Sequence, residues 1–242
     1  MRAETRHQLK QDRFSKVTIE AAENAAHWSV EHQAKLIAGV IAVVVIAAIA
    51  FGGWYYVNTQ DEKASAELST AVRTFETPVR PSGMPPQPGM DSFGSAAERA
   101  TAARKQFQAI VDNYPRTHTA DMARYFVGLA SAQLNDNAAA ERSLQEAANS
   151  SNPDLAALGK FALANVYRSE HKDTQAVDLY KLLIDKPTIV VSKATAQLEL
   201  AGFYESRQKP DEAKKIYEQV EKENPATEAA SLAQRRAAAF KQ

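Results

Sequence analysis

ARKQFQAIVDNYP, residues Ala103–Pro115, decides the fold, because its pattern returns three times further along the chain. AERSLQEAANSSNP runs from Ala140 to Pro153, AVDLYKLLIDKP from Ala176 to Pro187, and AKKIYEQVEKENP from Ala213 to Pro225. Each string opens on alanine and carries a large apolar residue four positions on: Phe107, Leu144, Tyr180 and Tyr217. Three positions later comes a second apolar residue (Ile110, Ala147, Leu183, Val220), and each string closes on proline. The opening alanines lie 37, 36 and 37 residues apart. Steps of four and three put these residues on one face of a helix. The residue before a proline avoids helical angles, so each helix is expected to end there.

A second series precedes three of the strings. Gly128, Ala164 and Ala201 are small, 36 and 37 residues apart, and each follows an apolar residue (Val127, Leu163, Leu200). Tyr167 and Tyr204 lie three positions after the last two; Ser131 fills that place in the first. A small residue lets two helices approach closely, and an aromatic one a turn later fills the space between pairs. No single pair can bury its apolar stripe alone, so the core must come from stacking repeats.

The order small, aromatic, alanine, aromatic, proline resembles the tetratricopeptide repeat, a helix–turn–helix unit of about 34 residues. Here the period is stretched to 36–37, and the tryptophan often found early in helix A is absent from the three complete units. The expected fold is all-α: an α-solenoid of tetratricopeptide-like hairpins over residues 95–226, closed by a capping segment, 227–242, helical from Thr227 to Phe240.

Outward from the repeats, residues 78–94 (PVRPSGMPPQPGMDSFG) hold five of the ten prolines. Proline has no backbone donor and blocks helix interiors, so this is an extended loop, read as a spacer rather than as a ligand for a proline-binding module. Before it, residues 61–77 carry Ala64, Leu68, Ala71, Val72 and Phe75 on one side. They read as the first helix A of the array, continuing an upstream helix and displaced from its partner, Ser95–Tyr114, by the loop.

That upstream helix is LIAGVIAVVVIAAIAFGGWYYV, Leu36–Val57. Twenty-two helical residues reach about 33 Å, enough for a bilayer core of about 30 Å. Trp54, Tyr55 and Tyr56 stand where an interfacial aromatic belt belongs. A cleaved signal peptide has a shorter apolar core behind a short basic start. This run begins after 35 residues and has no small-residue cleavage site before Asp61, so it reads as an uncleaved, single transmembrane helix. Arg2, Arg6, Lys10, Arg13, Lys16 and Lys35 precede it, against Lys63, Arg73 and Arg80 in 61–80. The bias favours a cytoplasmic N-terminus. Residues 1–35 read as a cytoplasmic tail, helical through Phe14, Val17, Ala21, Ala25 and Trp28, that either lies on the membrane surface or has no partner.

Twenty-nine Lys and Arg balance 29 Asp and Glu, which gives no electrostatic case for nucleic acid. There is no cysteine, hence no disulfide or thiolate site. No nucleophile elbow, phosphate loop or dinucleotide fingerprint occurs, and no zinc motif forms among His7, His27, His32, His118 and His171, the last two read as lying in turns. The sequence therefore points to no catalytic, cofactor or metal site, and to binding instead. In such arrays helix A lines the concave face. By position that face holds Tyr125, Leu129 and Ala132; Phe161, Asn165 and Arg168; Leu198, Gly202 and Glu205. This mix suits an extended or helical peptide. Asn165 stands where some repeat proteins grip a peptide carboxylate, but the lysines of that clamp are absent and Phe161 occupies one of their places.

A short tail, one membrane helix and a repeat domain of this size, with phrases such as QFQAIVDNYPRTHTADMARYFVGLA (Gln106–Ala130), resemble the bacterial family of ancillary SecYEG translocon subunits. They are also similar to repeat domains of cell-division coordinators and outer-membrane assembly lipoproteins. The resemblance implies an inner-membrane protein whose periplasmic domain contacts exported chains, translocon components or periplasmic chaperones, with the lipid bilayer as its other partner. The alternative is a structural, self-associating envelope organiser. Ala38, Ala42, Ala48 and Gly52 give small-x-x-x-small spacing for such a homo-oligomer.

Overall fold

The structure, a computed structural model, describes residues 32–81, 83–85, 88–89 and 91–241. Among these are nine α-helices: α1 (Gln33–Glu76), α2 (Ala96–Asn113), α3 (His118–Gln133), α4 (Asn137–Ala148), α5 (Pro153–Ser169), α6 (Asp173–Asp185), α7 (Lys193–Ser206), α8 (Pro210–Glu223) and α9 (Glu228–Ala238). A 3₁₀ turn, Ala239–Lys241, follows α9. The expected helix through Phe14 to Trp28 lies outside the described residues.

The chain divides into two compact units, residues 1–56 and 57–242. In the first, the described residues are the apolar part of α1. Its most apolar window has a mean hydropathy of 2.7 and is not buried at all. Among the described residues, α1 is the one helix long and apolar enough to cross a membrane. It continues without a break to Glu76, so the segment from Asp61 onward shares the helix of the apolar run.

The second unit is all-α, as the repeats require. Each helix from α2 to α9 packs on the next. The hairpins are α3–α4, α5–α6 and α7–α8; before them the end of α1 shares an apolar cluster with α2 and α3, and α9 closes the series. The core runs through the alanines and aromatics of the repeated strings: Ala103, Ala140, Ala176 and Ala213 are all fully buried, as are Phe107, Leu144 and Tyr180.

Helix starts are fixed by side-chain caps, which satisfy first-turn N–H groups left without intrahelical partners. Ser95 Oγ accepts from Glu98 N–H at 3.1 Å, Thr117 Oγ1 from Ala120, Asp136 Oδ1 from Ala139, Ser192 Oγ from Thr195 and Thr227 Oγ1 from Ala230. Asn152 Oδ1 takes two, from Asp154 and Leu155. In α1, Asp61 Oδ1 also accepts from Thr119 N–H at 2.9 Å, so the first helix helps cap α3.

Three expectations change. Pro153, expected to close its string, is the first residue of α5, and α4 has already stopped at Ala148. Proline serves at the first helical position because its missing N–H would have no partner there anyway. His118 likewise opens α3 instead of lying in a turn. The proline-rich segment does not act as a spacer. Arg80 N–H donates to Phe93 O and Phe93 N–H to Pro78 O, both at 3.0 Å, in an isolated bridge between Val79 and Phe93. Arg80 closes the base further with a bond from Nη1 to Ser92 O at 3.1 Å. With its ends tied together, the loop adds nothing to the distance spanned.

The turn inside each hairpin repeats in a way the residue types do not announce. Asn135, His171 and Gln208 have φ of 58°, 60° and 58°, in the left-handed region. Around each, the same bonds recur: Asp136 N–H to Ser131 O, Lys172 N–H to Tyr167 O and Lys209 N–H to Tyr204 O, at 2.9–3.0 Å. This is the six-residue closure that satisfies the last carbonyls of a helix.

Between consecutive repeats an ion pair recurs with its signs exchanged. Arg104 on α2 meets Asp136 before α4 at 2.9 Å. One period on, Glu141 on α4 meets Lys172 before α6 at 2.7 Å. Glu141 also accepts from Tyr167 Oη, and Lys172 lies 5.3 Å from the Tyr167 ring. The Lys172 ammonium holds the Glu141 carboxyl below the usual range, aided by the Tyr167 hydroxyl and opposed by burial.

At the end of α8, Glu223 accepts from Gln219, Lys193 and Gln197, at 2.9, 2.9 and 3.2 Å. These donors, Gln219 foremost, pull its carboxyl down to about 2 from the ordinary 4.5. A carboxylate with a depressed folded pKa contributes stability that is present above its unfolded value and lost as pH falls through the folded one. Acid titration of urea-unfolding midpoints should therefore show wild type exceeding Glu223→Gln above pH 4.5, with the difference closing toward pH 2. A difference independent of pH would mean that these bonds do not couple to folding.

Candidate protein-binding groove

The residues assigned to the concave face fall into two clefts that meet on α5. The first, about 510 Å³, is lined by Tyr125, Leu129 and Ala132 of α3, and by Phe161, Asn165 and Ser169 of α5, with Asn135 and Asn137 at its rim. The second, about 460 Å³, gathers Arg168, Leu198, Gly202 and Glu205 with Glu199, Tyr217 and Arg236. Helical geometry explains the grouping. Tyr125, Leu129 and Ala132, like Phe161, Asn165 and Arg168, follow one another at steps of three and four along one face of their helices. Arg168, one turn beyond Asn165, passes from the first cleft into the second.

The two clefts differ in chemistry. The first is aromatic and neutral. Tyr125, Leu129, Ala132 and Phe161 pack half-buried against the core behind them. Burial raises the Tyr125 phenol above its usual value, so it stays an uncharged donor. Asparagines at 135, 137 and 165 supply amide donors and acceptors without net charge. The second cleft is charged. Arg168 faces Glu199 at 3.7 Å, and Glu205 faces Arg236 at 3.5 Å.

Two tyrosines of the B helices, read from the sequence as core alone, bond residues that line these clefts. Tyr180 is fully buried, yet its hydroxyl donates to Asn165 Oδ1 at 2.8 Å. Burial pushes its phenol up to about 12. The bond fixes Asn165 with its oxygen engaged, and its amide NH₂ makes no hydrogen bond among the described residues. In the next repeat Tyr217 Oη donates to Glu205 Oε2 at 3.0 Å; burial, then this carboxylate, raise its phenol to about 12. The recurrence at positions 180 and 217 was visible in the sequence; that the ring edge passes through the core to hold a cleft residue was not. Behind Arg168, its carbonyl accepts from Arg207 Nη2 at 2.8 Å, while Arg207 Nε is held by both oxygens of Asp173 at 2.9 and 3.0 Å. The groove is thus built on side chains fixed from below, which lowers the cost of ordering it on binding.

Nothing in either cleft brings a nucleophile, a base and an orienting group together. Among the described residues no group of three or more His, Cys, Asp or Glu is placed to hold a metal ion. The arrangement suits reversible contact with a polypeptide: amide pairs for a main chain, an aromatic floor for side chains, and charges of both signs beyond.

Known families agree with this architecture. The sequence model of the tetratricopeptide repeat-like domain matches residues 26–188, and that of the tetratricopeptide repeat matches residues 195–227. No curated protein matches the chain. Repeat arrays of this kind are protein-interaction modules, and neither match indicates an enzyme family. With more than half of its length matched and stacked hairpins throughout residues 96–238, the chain belongs to the tetratricopeptide repeat-like domain family.

Proposed function

We propose that this chain is a membrane-tethered scaffold that captures exported or envelope proteins. In this reading the apolar run 36–57 is an uncleaved span with its N-terminus in the bacterial cytoplasm. The repeat array stands in the periplasm, near the Sec translocon or its chaperones. The observation that carries the proposal is the pair of clefts meeting on α5, held from below by Tyr180 and Tyr217. The first suits an extended main chain with an apolar or aromatic side chain, and the second suits a charged residue that follows it.

Photo-crosslinkers at Tyr125, Phe161 and Leu198, in membranes of the living cell, should yield heterologous bands. Alanine at Phe161, Asn165 and Arg168 together should abolish those bands while the circular-dichroism spectrum is kept. Unchanged bands in the folded triple variant would remove the groove from consideration. A homodimer as the dominant product would favour the self-associating organiser, for which the bare faces at Gly39, Gly52 and Gly53 of α1 are available. For topology, protease added to intact spheroplasts should digest the array; its survival until lysis would reverse the assigned orientation.

A further inference from the structure

A third cleft, of about 720 Å³, lies on the B-helix side of the array, between α2 and α4 with α3 as its floor. Its origin is a departure from the repeat. In the next repeats Tyr167 and Tyr204 occupy the position that Ser131 holds in the first. Tyr167 spans its junction and bonds Glu141 on the neighbouring B helix. Ser131, at the floor of the cleft, is too short to do so. It is fully buried, and its Oγ has no hydrogen-bond partner.

The lining is unbalanced in charge. It holds four cations, Arg104, Lys105, Arg124 and Arg142, and two carboxylates, Asp112 and Glu146. Glu146 is ion-paired with Arg124 at 3.0 Å, while Asp112 keeps its charge and accepts from the neutral amide of Gln108 at 2.9 Å. Arg104 and Arg124 also have partners, Asp136 and Asp121, at 2.9 and 2.7 Å. Lys105 and Arg142 are exposed and make no ion pair among the described residues. They face one opening from opposite helices. Along α2 the lining runs from Thr101 to Asp112, about 16 Å of helix, which matches about five residues of extended chain.

We propose that this cleft is a second docking site, seating a short acidic segment of a partner protein, with Lys105 and Arg142 clamping its carboxylates. The occupant is identified by charge complementarity and by the length of the opening. The proposal does not depend on the groove at α5, and the test separates the two.

The probe is a fluorescein-labelled hexapeptide carrying four carboxylate side chains, titrated with the full chain in uncharged detergent and read by fluorescence anisotropy. Binding should weaken at least about tenfold in Lys105→Glu/Arg142→Glu, whose surface positions leave the fold intact, and should weaken as salt is raised. Ser131→Tyr, which restores the residue of the later repeats and fills the cleft, should do the same. Phe161→Ala/Arg168→Ala should bind the probe as wild type does. The proposal is overturned by failure of the probe to bind, by equal binding of its amide counterpart, by unchanged affinity in the double variant, or by displacement with equimolar inorganic phosphate.

Discussion

Phe107→Ala is expected to cost about 3–5 kcal/mol, the usual range for removing a buried phenylalanine, and to melt one end of the array before the other. Phe107 is fully buried and stacks on Phe126 with ring centroids 4.9 Å apart; Phe75 meets both rings edge-on at 6.1 Å. These rings come from α2, α3 and α1, so one side chain ties three helices. In a stacked array each repeat contacts chiefly its neighbours, so the loss should stay local. Hydrogen exchange would check this. Amides of 61–76 and 96–113 should lose protection while those of 193–223 keep it. Equal loss everywhere would mean that the array unfolds as one cooperative block.

The second large effect is expected at Gly159. A Cβ there would lie 2.5 Å from the backbone nitrogen of Ala148 and 2.8 Å from the carbonyl carbon of Ala147, at the end of α4. Backbone cannot rotate away as a side chain can. Overpacking of this kind costs about 1–3 kcal/mol or more, against about 1 kcal/mol gained by replacing a mid-helix glycine with alanine. Gly159→Ala should therefore destabilise the array by up to about 2 kcal/mol in urea unfolding, the difference of those two effects. Gly128→Ala should cost less, because its obstacle, 2.5 Å away, is the Leu144 side chain. Gly202→Ala should stabilise by about 1 kcal/mol, since nothing lies within 4 Å of its Cβ. If the three substitutions shared one sign, close helix approach would not be what places these glycines.

Gly159 also shows where sequence reading stopped. The repeated alanine, aromatic and proline positions were legible because large apolar residues and prolines stand out from their neighbours. Ala123, Gly159 and Ala196 recur at the same period and are just as buried, but a small residue in an alanine-rich chain carries no contrast. The turn residues Asn135, His171 and Gln208 share one backbone conformation while sharing no side-chain property, so nothing in their letters declares it. Pro153 misled because the same residue type marks both the end of one helix and the first position of the next. At the groove, counting along helix A brought together Tyr125, Leu129, Phe161 and Asn165 in one cleft, and Arg168, Leu198 and Glu205 in the other. The tyrosine bonds beneath Asn165 and Glu205 depend on distances across helices, which no local spacing encodes.

The exchanged signs of the ion pairs between repeats bear on how the units are strung together. Two successive junctions carry opposite polarity: arginine before aspartate at Arg104–Asp136, glutamate before lysine at Glu141–Lys172. A chain that skipped residues 118–153 would bring Lys172 opposite Arg104, cation against cation. The α5–α6 hairpin of a second copy, seated directly after α2, would meet the same mismatch. The order of the first hairpins is thereby proofread at their seams, and units that share a backbone plan are not interchangeable parts there.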